Sequence, residues 1–226
     1  ASRAETWAVR SWARIGRDPD DRWSLLIDGQ HLDSANRNRT GAVPVNDSTG
    51  RRTRIGGTAT ARLTLGRTSH GLDARIERED EAFSTRDRQF GDSGDQRLKR
   101  GRTAFVGEWR ADWAGLATTD LAIRHDDFSS FRDATTIRAN VLVPIVAGIA
   151  ATGSYAEGIS QPGFSELFGF AANSGFVGNP LLTPERARGY EAGLRYGSPL
   201  LSAEIVAFSS ALRDEIVYAG LPTFQY

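Results

Sequence analysis

Polar and apolar residues alternate with a period of two along most of the chain. In residues 54–66, Ile55 and Leu63 share one face with glycine and alanine, while threonine and arginine occupy the other. In residues 102–113, tryptophan and phenylalanine alternate with charged residues in the same way. Because successive side chains of a β-strand point to opposite faces, this pattern predicts strands with one apolar face. The predicted strands cover residues 4–15, 23–33, 54–66, 70–80, 102–113, 117–127, 134–143, 149–158, 186–196, 200–210 and 212–219.

The lengths of these strands and of their connections indicate a membrane barrel. A tilted strand of about 9–11 residues crosses a bilayer, and the predicted strands are near that length. Their connections alternate between short turns and long polar loops, as in outer-membrane barrels with periplasmic turns and extracellular loops. By that rule residues 34–53, 81–101 and 160–183 are extracellular. The longest apolar run, residues 141–151, contains Pro144 and is too short for a membrane-spanning helix.

Alternation alone does not separate a barrel from a soluble β-sandwich. The apolar face points into the core of a sandwich but toward lipid in a barrel, whose lumen is polar. Small residues such as Ala59 and Ala111 on the apolar face would make a thin sandwich core but are compatible with lipid contact. Aromatic residues at strand ends, such as Trp23, Tyr155 and Tyr196, suit the aromatic girdles at membrane interfaces. The sequence therefore favours an all-β, membrane-spanning antiparallel barrel.

Composition and chemistry exclude several functions. The chain has 28 basic and 28 acidic residues, so no basic surface for nucleic acid is expected. It has no cysteine, which excludes disulfides and thiolate metal sites. Its histidines, His31, His70 and His125, fall on separate strands or turns and match no catalytic or metal-binding motif. We therefore expect no enzymatic activity, no cofactor and no metal site.

The stretch from Gln161 to Tyr196 is the most distinctive part of the chain. A loop rich in phenylalanine, glycine and serine leads to Gly178-Asn179-Pro180-Leu181-Leu182-Thr183-Pro184-Glu185. Each proline fixes its own φ and pushes the preceding residue into extended geometry, so this segment predicts a rigid corner that enters the next strand.

This stretch resembles the barrel of the TonB-dependent outer-membrane receptors. That family carries a proline and an E-L-[FY]-G sequence, followed by G-N-P-x-L-x-P-E and then a Y-E-x-G strand. The order and spacing of both motifs match, although Ile159 and Ser160 stand where the family usually has phenylalanine and a basic residue. The residues that match the family motif are Pro162, Phe164, Glu166, Leu167, Gly178, Asn179, Pro180, Leu182, Pro184, Glu185, Glu191 and Gly193.

The resemblance implies a function and a set of partners. Such receptors take up a scarce nutrient, in the class of ferric siderophores or cobalamin, with energy relayed by a TonB-type protein. They reside in the outer membrane of Gram-negative bacteria, where outer-membrane lipid surrounds a barrel of about 22 strands that closes around a plug domain. Residues 1–226 would supply about eleven of these strands. The plug of the same full-length chain, the TonB-binding part and the closing strands would lie outside this sequence.

Two sets of residues are candidates for contact with a small-molecule or metal-chelate substrate. The aromatic set lies in the proposed extracellular loop and consists of Phe164, Phe168, Phe170 and Phe176. No histidine occurs between Phe164 and Gly178, which argues against heme. The charged set faces the predicted lumen, either to dock the plug and guide a polar substrate or simply as a hydrated wall of paired charges. It consists of Arg62, Asp73, Arg75, Glu77, Glu108, Arg110, Asp112, Asp120, Arg124, Arg138, Glu191 and Arg195.

Two other classes of protein remain compatible with the sequence. One is a passive porin-like channel in which 10–12 strands close on themselves without a plug. The other is a soluble all-β binding module, which would stay monomeric without detergent.

Overall fold

A computed structural model of the chain describes residues 2–16, 22–88, 95–169 and 177–217. These residues form one antiparallel sheet in which each strand pairs with its neighbour in sequence. The all-β antiparallel fold predicted above is confirmed. The strands are β1 (Ser2–Ile15), β2 (Trp23–Thr40), β3 (Val43–Leu65), β4 (Thr68–Asp87), β5 (Gln96–Asp112), β6 (Thr118–Phe128), β7 (Ala134–Val146), β8 (Ile149–Ser160), β9 (Glu185–Gly197) and β10 (Ser202–Arg213), and the short helix α1 covers Phe164–Phe168.

The described residues give ten strands, whereas the alternation predicts about eleven. The predicted strands at residues 200–210 and 212–219 are wrong as separate elements, because β10 runs without interruption to Arg213. Asp214 then adopts a φ of 57°, which takes the backbone out of the extended conformation. Residues 214–217 are not in a strand, and residues 218 and 219 lie outside the described part of the chain.

Two of the three predicted long loops are mostly strand. Residues 34–53 belong to a continuous hairpin of β2 and β3 with its turn at residues 41–42. Most of residues 81–101 likewise extends β4 and β5, with the connection confined to residues 88–95. The reason is that both faces of the strands near the loop end carry mainly polar side chains, which weakens the apolar alternation but leaves the backbone ladder intact. In the third segment, the described residues 161–169 and 177–184 lie outside the strands of the sheet.

The connections define two ends of the sheet. At the turn end, strands are joined through residues 66–67, 113–117, 147–148 and 198–201. At the loop end, they are joined through residues 41–42, 88–95, 129–133 and 161–184. The short turns use backbone conformations with positive φ, as at Gly66 (63°) and Gly148 (79°), which glycine adopts without steric cost.

The register separates an apolar outer face from a polar inner face. Leu72 pairs with Trp109, Trp109 with Leu121, and this row continues through Ala139 to Tyr155 and its partner on β9. Leu72, Leu121 and Tyr190 of this row are exposed, as is its neighbour Ile76 at 52%, and the rest of the row is half-buried. No second layer covers this face within residues 2–16, 22–88, 95–169 and 177–217. An uncovered apolar belt fits a lipid-facing barrel wall and not one sheet of a sandwich.

Helices contribute little to this part of the molecule. Among the described residues, none of the helical structure is long and apolar enough to cross a membrane.

Candidate functional site

The inner face of the sheet carries a continuous network of ion pairs. All twelve residues of the predicted charged lining lie on this face according to the strand register. Near the turn end, Arg110 contacts Asp73 at 3.5 Å and Asp120 at 3.2 Å, and it also pairs with Glu108. Arg138 lies 3.2 Å from both Glu108 and Asp120, so each of these carboxylates is shared by two guanidinium groups.

Midway along the strands the network becomes more buried. Arg75 on β4 binds both carboxylate oxygens of Asp28 on β2, at 2.6 and 3.1 Å. Glu77 and Glu79 follow on the same strand and are each 8% exposed. Arginines on β3, β4, β5 and β6 surround these two carboxylates at 2.8–3.8 Å. Asp126 on β6 is 1% exposed and is held by Arg124 at 2.7 Å.

Positive and negative charges therefore alternate at contact distance along this wall. A buried carboxylate is stable only when a cation or hydrogen bonds offset the loss of water, and the arginines supply both. The resulting surface has paired charges rather than a field of one sign.

At the loop end, the segment after β8 folds over the inner face and is held by one arginine. Arg100 on β5 donates from Nε to Glu81 at 2.5 Å and from Nη1 to the carbonyl oxygen of Pro162 at 2.6 Å. Its guanidinium also lies 4.6 Å from the centre of the Phe164 ring, within range of a cation–π contact. The Phe164 ring also stacks on Phe83, with the ring centres 5.8 Å apart. We call Arg100, Glu81, Phe83 and the segment they hold, residues 161–169, the loop latch.

Glu81 is the titratable centre of the loop latch. Burial raises the pKa of its carboxyl group, but hydrogen bonds and charges from Arg100 and Arg52 outweigh burial and leave the pKa below the usual 4.5. Glu81 lies on the loop-end side of the apolar belt. On the outer face of β4 the apolar residues end before Arg78, which is three residues nearer the turn end than Glu81. The carboxylate is therefore charged near neutral pH and can bind both arginines.

Helix α1 and the G-N-P segment pack on each other through their backbones. The amide of Gly163 donates to the Glu166 side chain at 2.6 Å at the start of the helix. The amide of Asn179 donates to the carbonyl oxygen of Glu166 at 2.8 Å. A Cβ atom on Gly178 would lie 2.5 Å from the amide nitrogen of Phe168 and closer still to that of Gly169. Only glycine fits this approach, so the two motifs of the sequence meet in space.

The corner and the strand after it complete the motif. The Asn179 side chain accepts from the amide of Leu181 at 3.0 Å, and its carbonyl oxygen accepts from Leu182 at 3.2 Å, which closes a turn around Pro180. Pro184 directly precedes β9, whose first residue, Glu185, accepts from the amide of Ile216 at 2.8 Å. Further along β9, Glu191 and Gly193 lie on the inner face opposite Ser154 and Thr152.

The four candidate ligand-contacting phenylalanines differ in their surroundings. Phe164 is half-buried and packs in the loop latch. Phe168 is 42% exposed, and its carbonyl oxygen accepts from Gln96 at 3.0 Å. Phe170 and Phe176 lie outside the described residues. A role for these residues in ligand binding stays a prediction.

Sequence reasoning missed the residues that hold the loop. The charged pattern of residues 81–101 predicts a loop that would contain Arg100, Glu81 and Phe83. Glu77, Glu79 and Glu81 nevertheless continue the alternation of β4 on one face. That spacing was the available signal. Within the described residues, no group of histidine, aspartate and glutamate side chains is arranged to hold a metal ion.

Comparison with known proteins defines the class to which this wall belongs. The profile of the family described as "TonB dependent receptor-like, beta-barrel" matches residues 2–226. The chain therefore belongs to the TonB-dependent receptors, a family of outer-membrane transporters of Gram-negative bacteria rather than enzymes. The family assignment agrees with the resemblance found in the sequence. No curated protein matches the chain significantly.

Several solved receptors share the fold. The siderophore receptor PirA from Acinetobacter baumannii has a TM-score of 0.77 at 16% identity, over 95% of this chain and 35% of its own. A mutant of the ferric enterobactin receptor PfeA from Pseudomonas aeruginosa has a TM-score of 0.80 at 14% identity, over 94% and 35%. The hemophore receptor HasR from Serratia marcescens, solved with its hemophore HasA and heme, has a TM-score of 0.74 at 15% identity, over 93% and 40%.

These likenesses extend to the fold alone, because the identities are low. The chain spans only about a third to two fifths of the length of these receptors.

Proposed function

We propose that residues 1–226 form part of the barrel wall of an outer-membrane receptor that takes up a scarce nutrient by active transport. The observation that carries this proposal is the contrast between the two faces of one sheet in a chain of this family. The outer face is apolar and uncovered, and the inner face is lined with paired charges. A sheet of this kind suits a wall between lipid and a polar lumen.

The loop end of the sheet is the extracellular end in this proposal. Long connections of outer-membrane barrels face outward and short turns face the periplasm. The loop latch then lies at the entrance to the lumen, where Phe168 is exposed and can meet an incoming substrate. The half-buried Phe164 supports the loop from behind.

The proposed substrates are ferric siderophores or cobalamin. Receptors named for siderophores and for ferric enterobactin share the fold, which supports the first of these classes. The hemophore receptor shares the fold equally well, so fold does not distinguish heme from siderophore. The lack of histidine between Phe164 and Gly178 is the argument against heme.

The proposed partners follow from active uptake. A plug domain of the same full-length chain would dock against the paired charges of the inner face. A TonB-type protein would supply energy through a part of the receptor outside residues 1–226. Because the wall has two edge strands, β1 and β10, further strands would be needed to close it in lipid.

Uptake by the full receptor tests the proposal. A strain without the gene for the receptor is compared with the same strain after complementation, using radiolabelled iron on catecholate and hydroxamate siderophores, and radiolabelled cobalamin. We expect saturable uptake of one substrate class that stops when a protonophore removes the proton gradient. Uptake that continues at the same rate in the presence of the protonophore would instead indicate a passive channel. If none of these substrates is taken up, the proposed substrate classes are rejected.

A variant connects this assay to the loop. Phe168→Ala should raise the substrate concentration for half-maximal uptake severalfold while the amount of receptor in the membrane stays constant. Phe105→Ala on the lipid-facing side is the matched control, and it should leave that concentration unchanged.

A further inference from the structure

Three arginines lie together on the outer face at the loop end of β9 and β10. Arg186 on β9 stands directly opposite Arg213 on β10. Arg188 stands opposite Glu157 on β8. Arg186 and Arg188 lie on the same face of β9 as Tyr190, because an even number of positions separates each of them from it. Arg213 lies on the same face of the sheet, because it pairs directly with Arg186. We call Arg186, Arg188 and Arg213 the outer arginine cluster.

The charges of this cluster are not balanced as they are on the inner face. Like charges directly opposite each other on one face of an antiparallel pair repel. In the described ranges of the chain, neither Arg186 nor Arg213 forms an ion pair, and Asp214 pairs with neither. The carboxylate of Glu157 is shared among the Tyr155 hydroxyl, the amide of Ile137 at 3.2 Å and Arg188 at 3.4 Å. Among the described residues, Arg188 is therefore the one member of the cluster that pairs with a carboxylate.

A cavity adjoins the cluster. The ladder between β7 and β8 ends where Arg138 pairs with Ala156, yet both strands continue toward the loop end. The space that opens beside them has a volume of about 180 Å³. Its lining includes Thr135, Glu157, Gly158 and the three arginines. Three guanidinium groups outnumber the single carboxylate, so together with the hydroxyl they suit an anion that accepts several hydrogen bonds, and a phosphate group does so best.

The position of the cavity along the strands indicates where this anion would come from. The rings of Tyr155 and Tyr190 lie 4.9 Å apart and form the end of the apolar belt on these strands. Tyrosine at such a boundary marks the level of the lipid headgroups. Arg188 and Arg186 lie two and four residues before Tyr190 in the sequence. They are therefore roughly 7 and 14 Å nearer the loop end along the strand. The cluster thus lies at and just beyond the headgroup level.

We propose that the outer arginine cluster binds a phosphate group on the headgroup of a phosphorylated lipid in the outer leaflet. The phosphate would lie between Arg186 and Arg213, where its negative charge would offset the repulsion between the two guanidinium groups. Arg188 and Thr135 would be further hydrogen-bond donors. A bound lipid would also fill the gap between β7 and β8 at this level. The inference rests on the outer-membrane placement proposed above, but not on the identity of the transported substrate.

Lipid binding by the full receptor tests the inference. The receptor is purified in a nonionic detergent, and binding of a bisphosphorylated glycolipid from the outer leaflet is followed by native mass spectrometry. The same lipid after phosphatase treatment is the comparison for the unmodified receptor. We expect the phosphorylated form to bind at least about tenfold more tightly, since each charge-assisted hydrogen bond contributes on that scale. Equal binding of the two forms would overturn the inference.

Variants locate the site. Arg186→Gln with Arg213→Gln should weaken binding of the phosphorylated lipid by about tenfold or more. Arg186→Lys with Arg213→Lys keeps the charge and should retain most of the binding. Arg22→Gln with Arg67→Gln removes the same charge at the turn end and should have no effect. Folding of the double glutamine variant is checked by its change in electrophoretic mobility on heating. Unchanged lipid binding in the folded variant would show that the cluster is not the site.

Inorganic phosphate separates the lipid from a free anion. We expect it to compete only weakly with the phosphorylated lipid, because it lacks acyl chains that contact the apolar belt. Competition as strong as that of the lipid itself would mean that the cluster binds free phosphate, which would contradict the lipid assignment. Transport of the substrate can fail in the uptake assay without changing any of these outcomes.

Discussion

Two segments that the sequence predicts as long loops take different courses at the loop end. Both lie between predicted strands, but residues 34–53 are polar, whereas residues 161–184 are rich in phenylalanine, glycine and leucine. The first continues the sheet as the hairpin of β2 and β3, with an unbroken register from Ser34 opposite Gly50 back to Trp23 opposite Ala61. In the second, residues 161–169 leave the sheet and fold over its inner face.

The difference lies in what each segment needs in order to keep its shape. The hairpin needs only a two-residue turn and cross-strand pairs, because its backbone groups bond to each other along the ladder. The segment that folds inward has no ladder, so specific contacts must replace it. These contacts are the loop latch, the close approach at Gly178 and the turn at Asn179. Changes to them should affect one segment and leave the other intact.

The largest effect is expected from Gly178→Ala. The added Cβ would collide with the backbone of Phe168 and Gly169, which cannot move aside as a flexible side chain could. We expect the packed form of residues 161–184 to lose about 3 kcal/mol or more relative to its open form. Hydrogen exchange of the full receptor measures this through the amides of Gly169 and Asn179, which are bonded in the packed form.

Gly158→Ala is the matched control for this substitution. Its Cβ would meet the Ala187 side chain at 3.9 Å, an ordinary contact, on the strand that enters the same segment. Protection of the hairpin amides should stay constant in both variants. Normal protection of Gly169 in Gly178→Ala would show that the two motifs do not depend on their close approach.

A smaller effect is expected from Arg100→Gln. This change leaves Glu81 with Arg52 alone and removes the donor to the carbonyl oxygen of the buried Pro162. Loss of one partner in a buried, charge-assisted contact costs about 2–3 kcal/mol. Limited proteolysis of the full receptor should therefore cut residues 161–184 faster in the variant.

Arg97→Gln serves as the control, because Arg97 lies three residues earlier on β5 and points to the outer face. Its rate of cleavage should match that of the unmodified receptor. An unchanged rate in Arg100→Gln would mean that aromatic stacking of Phe164 on Phe83 holds the segment without the arginine.

Acid should weaken the loop latch through Glu81. The pKa of its carboxyl group is depressed in the folded state, so its contribution to stability is fully present above the usual value of 4.5. It is lost as the pH falls from that value through the lower pKa of the folded state. A spin label at Val177→Cys, an exposed position beside Gly178, should become more mobile in that pH range.

Glu81→Gln gives the comparison for the pH experiment. The amide carries no charge at any pH, so the label should be mobile throughout and its pH response should disappear. A pH response of equal size in this variant would assign the titration to another group.

The sequence predicted the part of the fold in which one face of each strand must be apolar toward lipid and the other polar toward the lumen. Period-two alternation correctly placed residues as distant as Arg62 and Arg195 on one inner face, since a strand offers its side chains only two directions. The position of the short turns followed from the same pattern. The motifs around Glu166 and Gly178 were recognised from their letters, but not the contact between them.

The rest depends on distances that a linear pattern does not contain. Above the membrane both faces of a strand meet water, so Asn38 and Asn46 can pair at 2.7 Å in a region without any apolar signal. Arg100 and Pro162 are 62 residues apart, and their contact follows from the register of several intervening strands. Local propensity cannot give that register, because each ladder is fixed by its neighbours.

The smallest effect is expected from Gly41→Ala at the tip of the β2–β3 hairpin. Gly41 has a φ of 62° and no atom within 4 Å of the position that a Cβ would take, so the cost is conformational only, about 1 kcal/mol. Hydrogen exchange should show fraying near Thr40 and Val43 while the loop latch keeps its protection. Gly71→Ala, which has equal space and no positive φ, should cause no fraying. Fraying in Gly41→Ala that reached Ser34 and Gly50 would mean that the ladder alone does not hold the hairpin, and the contrast with the infolded segment would fail.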